Sequence, residues 1–200
     1  MKKKKEGTLI VLSGPSGVGK STVISELLSA RNDIYFSVSF TTRAPRVGEA
    51  DGVNYNFVDR AEFERMIEAN ELLEYAEYVN NYYGTSLKVI QDKLAAGVDV
   101  LLDIEVQGAA QVSAKRPDVV RIFIAPPSWS ELEKRLTQRG TDTPEKVQQR
   151  LQRAKEEVKN AHVYDYFVIN DSVERAVLEL DAIMTAEHCR PQDRIKDIQF

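Results

Sequence analysis

GPSGVGKS, at residues 14–21, satisfies the pattern G-x-x-x-x-G-K-(S or T) in full. The apolar run TLIVLS at residues 8–13 precedes it, and residues 20–30 continue with apolar side chains at helical spacing. The order is strand, loop and helix, which is the arrangement in which this motif binds phosphate. Glycines let backbone N–H groups point toward one centre, and the helix adds the positive end of its dipole. The loop therefore predicts a site for a nucleoside triphosphate.

The side chains of this loop have predicted parts in binding ATP and Mg²⁺. Lys20 is expected to neutralise the β- and γ-phosphates, and Ser21 to offer its hydroxyl to Mg²⁺. Asp103, near the end of the apolar run 98–104, is the predicted second ligand of the ion, through water. A helix cap at the end of a strand is the alternative role for this carboxylate. The predicted ATP-binding residues of the loop are Gly14, Pro15, Ser16, Gly17, Val18, Gly19, Lys20 and Ser21.

Composition and charge limit the class of protein. The 200 residues are 42% hydrophobic and 29% charged, which is typical of a globular protein with one main core. The net charge of -4 provides no overall positive field for nucleic acid or an anionic membrane. The lysine run at residues 2–5 is interpreted as a solvated chain end, with a targeting or nucleic-acid patch as the alternative. No apolar run approaches the roughly 20 residues of a membrane span.

The single cysteine, Cys189, has no partner for an internal disulfide and no cluster of metal ligands near it in the sequence. A reducing compartment fits this usage, and structural zinc is not expected. We expect a cytoplasmic protein with no nucleic-acid or membrane partner and no obligate protein partner.

Alternating apolar runs predict the fold class. Residues 98–104, 119–124 and 166–169 are nearly continuous apolar runs, which is the pattern of parallel strands covered on both faces. Helical stretches are predicted at 87–96, 107–114 and 173–188. The fold is expected to be α/β, with a parallel sheet flanked by helices.

Two segments interrupt this alternation. Residues 39–85 turn polar and aromatic, with a helix capped by Asp59 whose apolar face is Phe63, Met66 and Ile67, followed by a hairpin over 72–84. Residues 129–157 form two charged helices on either side of a breaker at 140–144, with few residues able to join a core. The expected organisation is a core of residues 7–38, 86–128 and 158–200, an inserted subdomain at 39–85 and a mobile lid at 129–157.

Five motifs, in order, resemble the guanylate kinase family of P-loop kinases. They are GPSGVGKS, the pattern SxSxTTRxPRxGExxGxxYxF from residue 37, EYAEYxxxYYGT from residue 74, LLDIEVQG from residue 101 and RLxxRGTD from residue 135. The resemblance covers about residues 9–171. It implies a P-loop NTPase core in which the inserted subdomain binds the nucleoside monophosphate. Phe40 departs from the small hydroxyl residue common at this place, which puts only the packing behind the loop in doubt.

The resemblance implies an acceptor site for GMP, with dGMP as a further acceptor. Guanine presents N1–H and N2–H₂ side by side, so one carboxylate can accept from both, whereas adenine has no such pair. Glu74 matches that carboxylate, and Ser39 and Thr85 match hydroxyls near guanine O6. The residues matching the phosphate site are Arg43, Arg46, Tyr55 and Tyr83, and Glu105 matches a second acidic position near the base and ribose. The alternatives are solvated arginines, tyrosines that only pack the subdomain, and structural or solvent-exposed roles for Glu74 and Glu105.

The expected chemistry needs no general base. A phosphate monoester loses its second proton near pH 6, so the acceptor oxygen of GMP is already largely an anion at neutral pH. Placement and charge neutralisation then suffice for transfer from ATP. The predicted catalytic residues are Lys20, Arg43, Arg139 and Arg150, with Arg135 as a further candidate. Asn170 matches a position that contacts adenine, and the alternative for the lid arginines is exposure on charged helices.

Three other functions remain open from the sequence. They are a P-loop kinase for another small phosphorylated acceptor, a scaffold of the same shape without catalysis, and a GTPase switch. The last is disfavoured because the guanine-reading N-K-x-D sequence is absent. Oligomeric state and the preference between GMP and dGMP are likewise left open.

Overall fold

The structure is a computed structural model that describes residues 6–78, 80–138, 143–191 and 195. Its packing divides the chain into two compact units. Unit 1 contains the described residues of Met1–Leu9 and Ile34–Val119, and unit 2 those of Ile10–Asp33 and Val120–Phe200. This division depends on contacts between residues and does not test the predicted boundaries of core, subdomain and lid, which stay predictions.

Strands and helices are interspersed along the chain, as expected for an α/β fold with parallel strands flanked by helices. The strands are β1 (Leu9–Ser13), β2 (Ile34–Phe36), β3 (Phe40–Thr41), β4 (Asn56–Phe57), β5 (Leu72–Tyr78), β6 (Asn81–Ser86), β7 (Asp99–Asp103), β8 (Val120–Ala125) and β9 (Tyr166–Ile169). The helices are α1 (Lys20–Ala30), α2 (Arg60–Glu68), α3 (Leu87–Ala95), α4 (Val106–Lys115), α5 (Trp129–Gln138), α6 (Pro144–Lys159) and α7 (Val173–Glu187).

Unit 2 is built on the parallel strands β1, β8 and β9. β8 pairs with β1 on one side, where Ile10 lies opposite Val120, and with β9 on the other. Every residue of β1 is buried, which explains why its sequence is apolar without alternation. Helices α5 and α6 share a small apolar cluster of their own, formed by Leu132, Leu136, Val147, Leu151 and Ala154.

Unit 1 contains the parallel pair β2 and β7 and a four-stranded sheet in the order β4-β3-β6-β5. The predicted hairpin is confirmed as the antiparallel pair β5 and β6, with Asn80 between them at φ 59. Asparagine tolerates this left-handed conformation better than most residues. The short strands β2, β3 and β4 were not predicted, because two or three residues show no readable period.

Helix α2 confirms its predicted cap and apolar face. The Asp59 side chain accepts a hydrogen bond of 2.8 Å from the backbone N–H of Glu62. Phe63 and Met66 are buried, and Ile67 packs against the cluster that they form with Leu72. The subdomain hairpin therefore has a small core beneath it.

Among the described residues, no helix combines the length and the apolar character needed to cross a bilayer.

Candidate active site

The glycine-rich loop of unit 2 needs glycine for two separate reasons. Gly17 and Gly19 have φ values of 87° and 97°, which lie in the left-handed region. A Cβ atom on Gly19 would also stand 2.7 Å from Nδ2 of Asn170, and one on Gly17 would stand 2.7 Å from a methyl carbon of Leu136. Backbone conformation and close approach therefore both exclude larger residues from the loop.

The start of α1 provides the donors that an anion needs. Gly19 occupies the N-cap position without a side-chain cap, and the first turn contains no acidic residue. The N–H groups there have no partner within the helix, and the helix dipole is positive at this end. Lys20 folds back across the loop, because its Nζ donates to the carbonyl of Gly14 at 2.7 Å. Ser21 follows it with an exposed side chain.

Arg135 and Asn170 support this loop from the side. Arg135 donates from Nη1 to the carbonyl of Val18 at 3.0 Å and from Nη2 to the carbonyl of Asn170 at 3.2 Å. The buried Asn170 donates from Nδ2 to the same Val18 carbonyl at 2.8 Å. Glu131 holds the other edge of the guanidinium at 2.9 Å. Arg135 is thus anchored beside the loop, a role that the sequence did not specify.

These residues border an open cleft in unit 2. Gly19, Arg135 and Asn170 line it together with Thr22 and Asp171. The side chain of Asn170, predicted to lie near adenine, is therefore at a cleft wall and in contact with the glycine-rich loop.

The other predicted lid arginines differ from Arg135. Arg150 lies half-buried on α6. Arg139, predicted to be catalytic, lies outside the described residues. The assignment of these two arginines to phosphate binding stays a prediction.

In unit 1, Glu74 and Thr85 form a buried polar pair. They are cross-strand partners on β5 and β6, and the Thr85 hydroxyl donates to Oε1 of Glu74 at 2.6 Å. Glu74 is 5% exposed and Thr85 is 1% exposed. Burial raises the pKa of Glu74, whereas the Thr85 hydrogen bond and the positive charge of Lys115 act in the opposite direction. The solvent-exposed alternative for Glu74 is therefore wrong.

Arg43 is the centre of the second group of predicted acceptor residues. Its Nη2 lies 2.9 Å and 3.0 Å from the two carboxylate oxygens of Glu49, and its guanidinium stands 5.4 Å from the ring centre of Tyr55. The rings of Tyr55 and Tyr83 meet edge to face at 5.9 Å. Glu49 also accepts from the backbone N–H of Arg46 at 2.8 Å, while the Arg46 side chain is exposed. The structure thus brings together the guanidinium of Arg43, both predicted tyrosines and the loop of Arg46.

Glu49 was missed as a member of this group. Its pKa is lowered chiefly by the hydrogen bond from Arg43, so it stays ionised and orients the guanidinium. Glu49 is part of the family motif that begins at residue 37, but the spacing alone does not indicate whether it would face Arg43 or Arg46.

Ser39, Asp103 and Glu105 are the remaining predicted residues of unit 1. Ser39 is half-buried before β3, and its carbonyl accepts from the backbone N–H of Asn56 at 2.8 Å. Asp103 ends β7, and its charge helps to raise the pKa of Tyr55, although burial is the larger cause. Glu105 is exposed at the N-cap of α4. Glu105 occupies the N-cap position of α4 without a side-chain cap hydrogen bond, and the role of Asp103 stays a prediction.

Among the tyrosines considered for packing the subdomain, Tyr82 has that role. Tyr82 stacks on Phe63 with ring centres 5.1 Å apart, and Arg60 lies over its other side at 4.5 Å. Tyr75 and Tyr78 are exposed. Tyr55 and Tyr83 belong instead to the group around Arg43, where their rings meet edge to face.

Comparison with known proteins identifies the family. The family model described as "Guanylate kinase" matches residues 6–187. The chain belongs to the guanylate kinase family. It is 53% identical over 193 residues to a guanylate kinase of Halalkalibacterium halodurans, covering 96% of this chain and 95% of that one. It is 52% identical over 194 residues to a guanylate kinase of Shouchella clausii, covering 97% and 95% of the two chains.

A solved structure supports the same assignment. The crystal structure of guanylate kinase from Anaplasma phagocytophilum superposes with a TM-score of 0.76 at 39% identity, covering 94% of this chain and 89% of that one. The predicted resemblance and the α/β fold of the P-loop NTPase type are thus confirmed. Members of the guanylate kinase family are ATP:GMP phosphotransferases, and this chain is an enzyme of that kind. The GTPase and scaffold alternatives are therefore not supported.

Proposed function

We propose that the terminal phosphate of ATP passes to GMP, giving ADP and GDP, through a donor half-site in unit 2 and an acceptor half-site in unit 1. The donor half-site is the loop 14–21 with Arg135 and Asn170. The acceptor half-site is built by Ser39, Arg43, Arg46, Tyr55, Glu74, Tyr83, Thr85 and Glu105. The observation that carries the proposal is the buried Glu74 carboxylate, held by Thr85 at 2.6 Å.

In the donor half-site the backbone does most of the binding. The uncapped N-terminus of α1 and the left-handed glycines support an anion cradle for the β- and γ-phosphates. Lys20 exchanges its contact with the Gly14 carbonyl for the phosphates when ATP binds, and its ammonium then forms charge-assisted hydrogen bonds. Asn170 and Arg135 keep the loop in this conformation through the Val18 carbonyl.

In the acceptor half-site side chains do the binding. Both oxygens of the ionised Glu74 accept from guanine N1–H and N2–H₂, and Thr85 and Ser39 lie near O6. Arg43 presents a planar guanidinium that Glu49 orients, and the two tyrosine hydroxyls add donors to the phosphate. The same base and phosphate occur in dGMP, so we expect dGMP to be an acceptor too.

Mg²⁺ is proposed to bind with ATP through the hydroxyl of Ser21 and, across water, the carboxylate of Asp103. No three His, Cys, Asp or Glu side chains gather into a metal site in the part of the chain that the structure describes. Mg²⁺ keeps waters and phosphate oxygens as ligands and seldom uses an all-protein cage. Both side chains offer the hard oxygen atoms that this ion prefers. When bound, Mg²⁺ neutralises charge on the phosphates during transfer.

Residues 129–157 are proposed to close over ATP as a lid, bringing Arg139 and Arg150 to the phosphates. The shared apolar cluster packs α5 and α6 against each other. Closure excludes water, so ATP hydrolysis without GMP should be slow compared with transfer. A cytoplasmic location stays a prediction of the sequence.

The test of the acceptor assignment is a comparison of nucleotides and of two glutamates on one strand. ADP formation is measured with ATP, Mg²⁺ and each of GMP, AMP, CMP and UMP, for the unaltered chain, Glu74→Gln and Glu77→Gln. Glu77 lies on β5 as well, but its side chain is exposed and bonds to Arg60. We expect turnover with GMP and a roughly 10- to 100-fold higher KM for GMP only in Glu74→Gln, because a charge-assisted pair is lost. An unchanged KM in Glu74→Gln removes Glu74 from the base site.

A further inference from the structure

Helix α4 contains a glycine that its backbone does not require. Gly108 is the third residue of α4, and its φ is not positive. Glycine is a poor helix former, so another reason for it must be sought. A Cβ atom at this position would stand 2.6 Å from Oε2 and 3.2 Å from Cδ of Glu74. The missing side chain therefore leaves the space that the Glu74 carboxylate occupies.

One turn further along α4, Gln111 grips the strand next to Glu74. Its Oε1 accepts from the backbone N–H of Tyr75 at 3.2 Å, and its Nε2 donates to the carbonyl of Tyr75 at 2.8 Å. β5 is an edge strand of its sheet. The amide of Gln111 thus supplies the pair of hydrogen bonds that a neighbouring strand would give.

Lys115 holds the same strand on the other side of Glu74. Its Nζ donates to the carbonyls of Leu72 at 3.1 Å and Leu73 at 2.7 Å. Residues 108, 111 and 115 share one face of the helix because they follow its period. Backbone groups on both sides of Glu74 are therefore tied to a single rigid element.

We propose that Gly108, Gln111 and Lys115 act as a positioning clamp that sets where the Glu74 carboxylate stands and so makes the acceptor site select guanine. The inference rests on the proposed reading of guanine by Glu74. Two adjacent N–H donors need both carboxylate oxygens at about 2.7–3.2 Å and in line. Thr85 donates a hydrogen bond to Oε1 of Glu74, and the absence of a side chain at Gly108 leaves room for Oε2. The hydrogen bonds from Gln111 and Lys115 to the backbone of β5 fix the position of the Glu74 Cα.

A purely structural role for α4 predicts something else. Loss of packing would lower thermal stability and change the KM for ATP and for GMP together. A positioning role changes the discrimination between acceptors while leaving ATP binding alone. Inosine monophosphate separates the two roles, because its base keeps N1–H but lacks the 2-amino group.

The experiment measures KM and kcat for GMP and inosine monophosphate, KM for ATP, and the thermal midpoint of the full chain. The variants are Gly108→Ala, Gln111→Ala, Glu74→Gln and the control Ser113→Ala. Ser113 lies on α4 too, but its hydroxyl bonds within the helix, to the carbonyl of Ala109. Gln111→Ala changes a surface side chain, so it serves even if Gly108→Ala does not fold.

In Gly108→Ala the flexible end of Glu74 is displaced, so we expect the KM for GMP to rise roughly tenfold, as for one lost charge-assisted hydrogen bond. The KM for inosine monophosphate should rise less, so the preference for GMP narrows. Gln111→Ala should change the same KM values in the same direction and more weakly. Both clamp variants should keep the KM for ATP and the thermal midpoint, and Ser113→Ala should keep all the measured values.

Other outcomes separate the two proposals. If Glu74→Gln loses the preference for GMP but Gly108→Ala and Gln111→Ala keep it, the clamp is wrong and the reading by Glu74 stands. If Glu74→Gln keeps the preference, the reading of guanine by Glu74 is wrong and the clamp falls with it. If the clamp variants raise the KM for ATP and GMP equally and lower the thermal midpoint, α4 is a structural element only and the inference is overturned.

Discussion

The donor and acceptor half-sites are built in opposite ways. The proposed donor half-site centres on consecutive residues, 14–21, which offer backbone N–H groups at the start of α1. The acceptor half-site joins side chains from separate segments, such as Arg43 before α2, Glu74 on β5 and Thr85 on β6. A phosphate chain presents negatively charged oxygen atoms on all sides, so backbone N–H donors are enough to bind it. A base is recognised by its edge, and that requires side chains placed by the fold.

The glycines of the two half-sites show the same contrast. Gly19 has a φ of 97°, so its own backbone requires glycine. Gly108 is helical, and a Cβ atom there would stand 2.6 Å from the Glu74 carboxylate. One glycine is necessary for local conformation and the other for a tertiary contact.

The largest expected effect is on the donor half-site. Lys20→Ala should lower kcat by about 10³-fold, because a charge directed at the transferred phosphate is lost. GMP binding, measured by calorimetry, and the thermal midpoint should remain as in the unaltered chain. Lys134→Ala, an exposed lysine on α5, is the control. If GMP binding weakened as much as kcat fell, the separation of the two half-sites would not hold.

A second prediction compares two left-handed glycines. Gly19→Ala should lower the free energy of unfolding by about 2 kcal/mol, because strain at a positive φ adds to the contact with Asn170. It should also raise the KM for ATP. Gly52 has a similar φ of 72°, and no described residue would lie within 4 Å of a Cβ atom there, so Gly52→Ala measures the backbone strain alone. Denaturant unfolding gives both values, and equal losses would show that the close approach to Asn170 adds nothing.

Asn170→Ala tests the support of the loop. The buried carbonyl of Val18 loses a donor, which should cost about 1.5 kcal/mol of stability. The KM for ATP should rise severalfold while the KM for GMP stays constant, as steady-state kinetics can determine. The exposed Asn32 provides the control Asn32→Ala. A change in the KM for GMP alone would show that Asn170 does not belong to the donor half-site.

The smallest effect is a gain of stability in the acceptor half-site. The pKa of Glu74 is raised in the folded chain, chiefly by burial, so its charge opposes folding once the pH exceeds the ordinary value of 4.5. Glu74→Gln keeps an acceptor for Thr85 without that charge, and should be more stable by about 0.5–1 kcal/mol near neutral pH.

The sign of this prediction follows from the direction of the shift. A raised pKa means that the folded state holds the proton more tightly, so the contribution to stability is present at low pH and is lost as the pH rises through the folded value. The difference between Glu74→Gln and the unaltered chain should therefore be small at about pH 4.5 and grow toward pH 7. Thermal unfolding at several pH values measures it. A lower stability of Glu74→Gln at neutral pH would contradict a net cost of burying this charge.

Much of the fold could be predicted from the sequence, for reasons that differ between elements. β1, β7 and β8 are long apolar runs, and α1 and α3 begin at their predicted residues because period and turn residues mark them. The strands β3 and β4 have two residues each, so only pairing with the hairpin defines them. Glu49 was missed as a site component because spacing alone does not show that it faces Arg43. Arg135 was predicted only as a catalytic candidate, and its anchoring beside the loop was not predicted because its partners there are backbone carbonyls.

By itself, the sequence determined the phosphate-binding loop, the strand and helix around it, and the motifs of the family. These depend on neighbours along the chain, where spacing and residue type are enough to specify the geometry. Only the tertiary structure decided that Glu74 is buried against Thr85, that Glu49 orients Arg43, and that Gly108 makes room for a carboxylate. The physical reason is that burial and side-chain contacts between distant segments arise from packing, which no local pattern encodes.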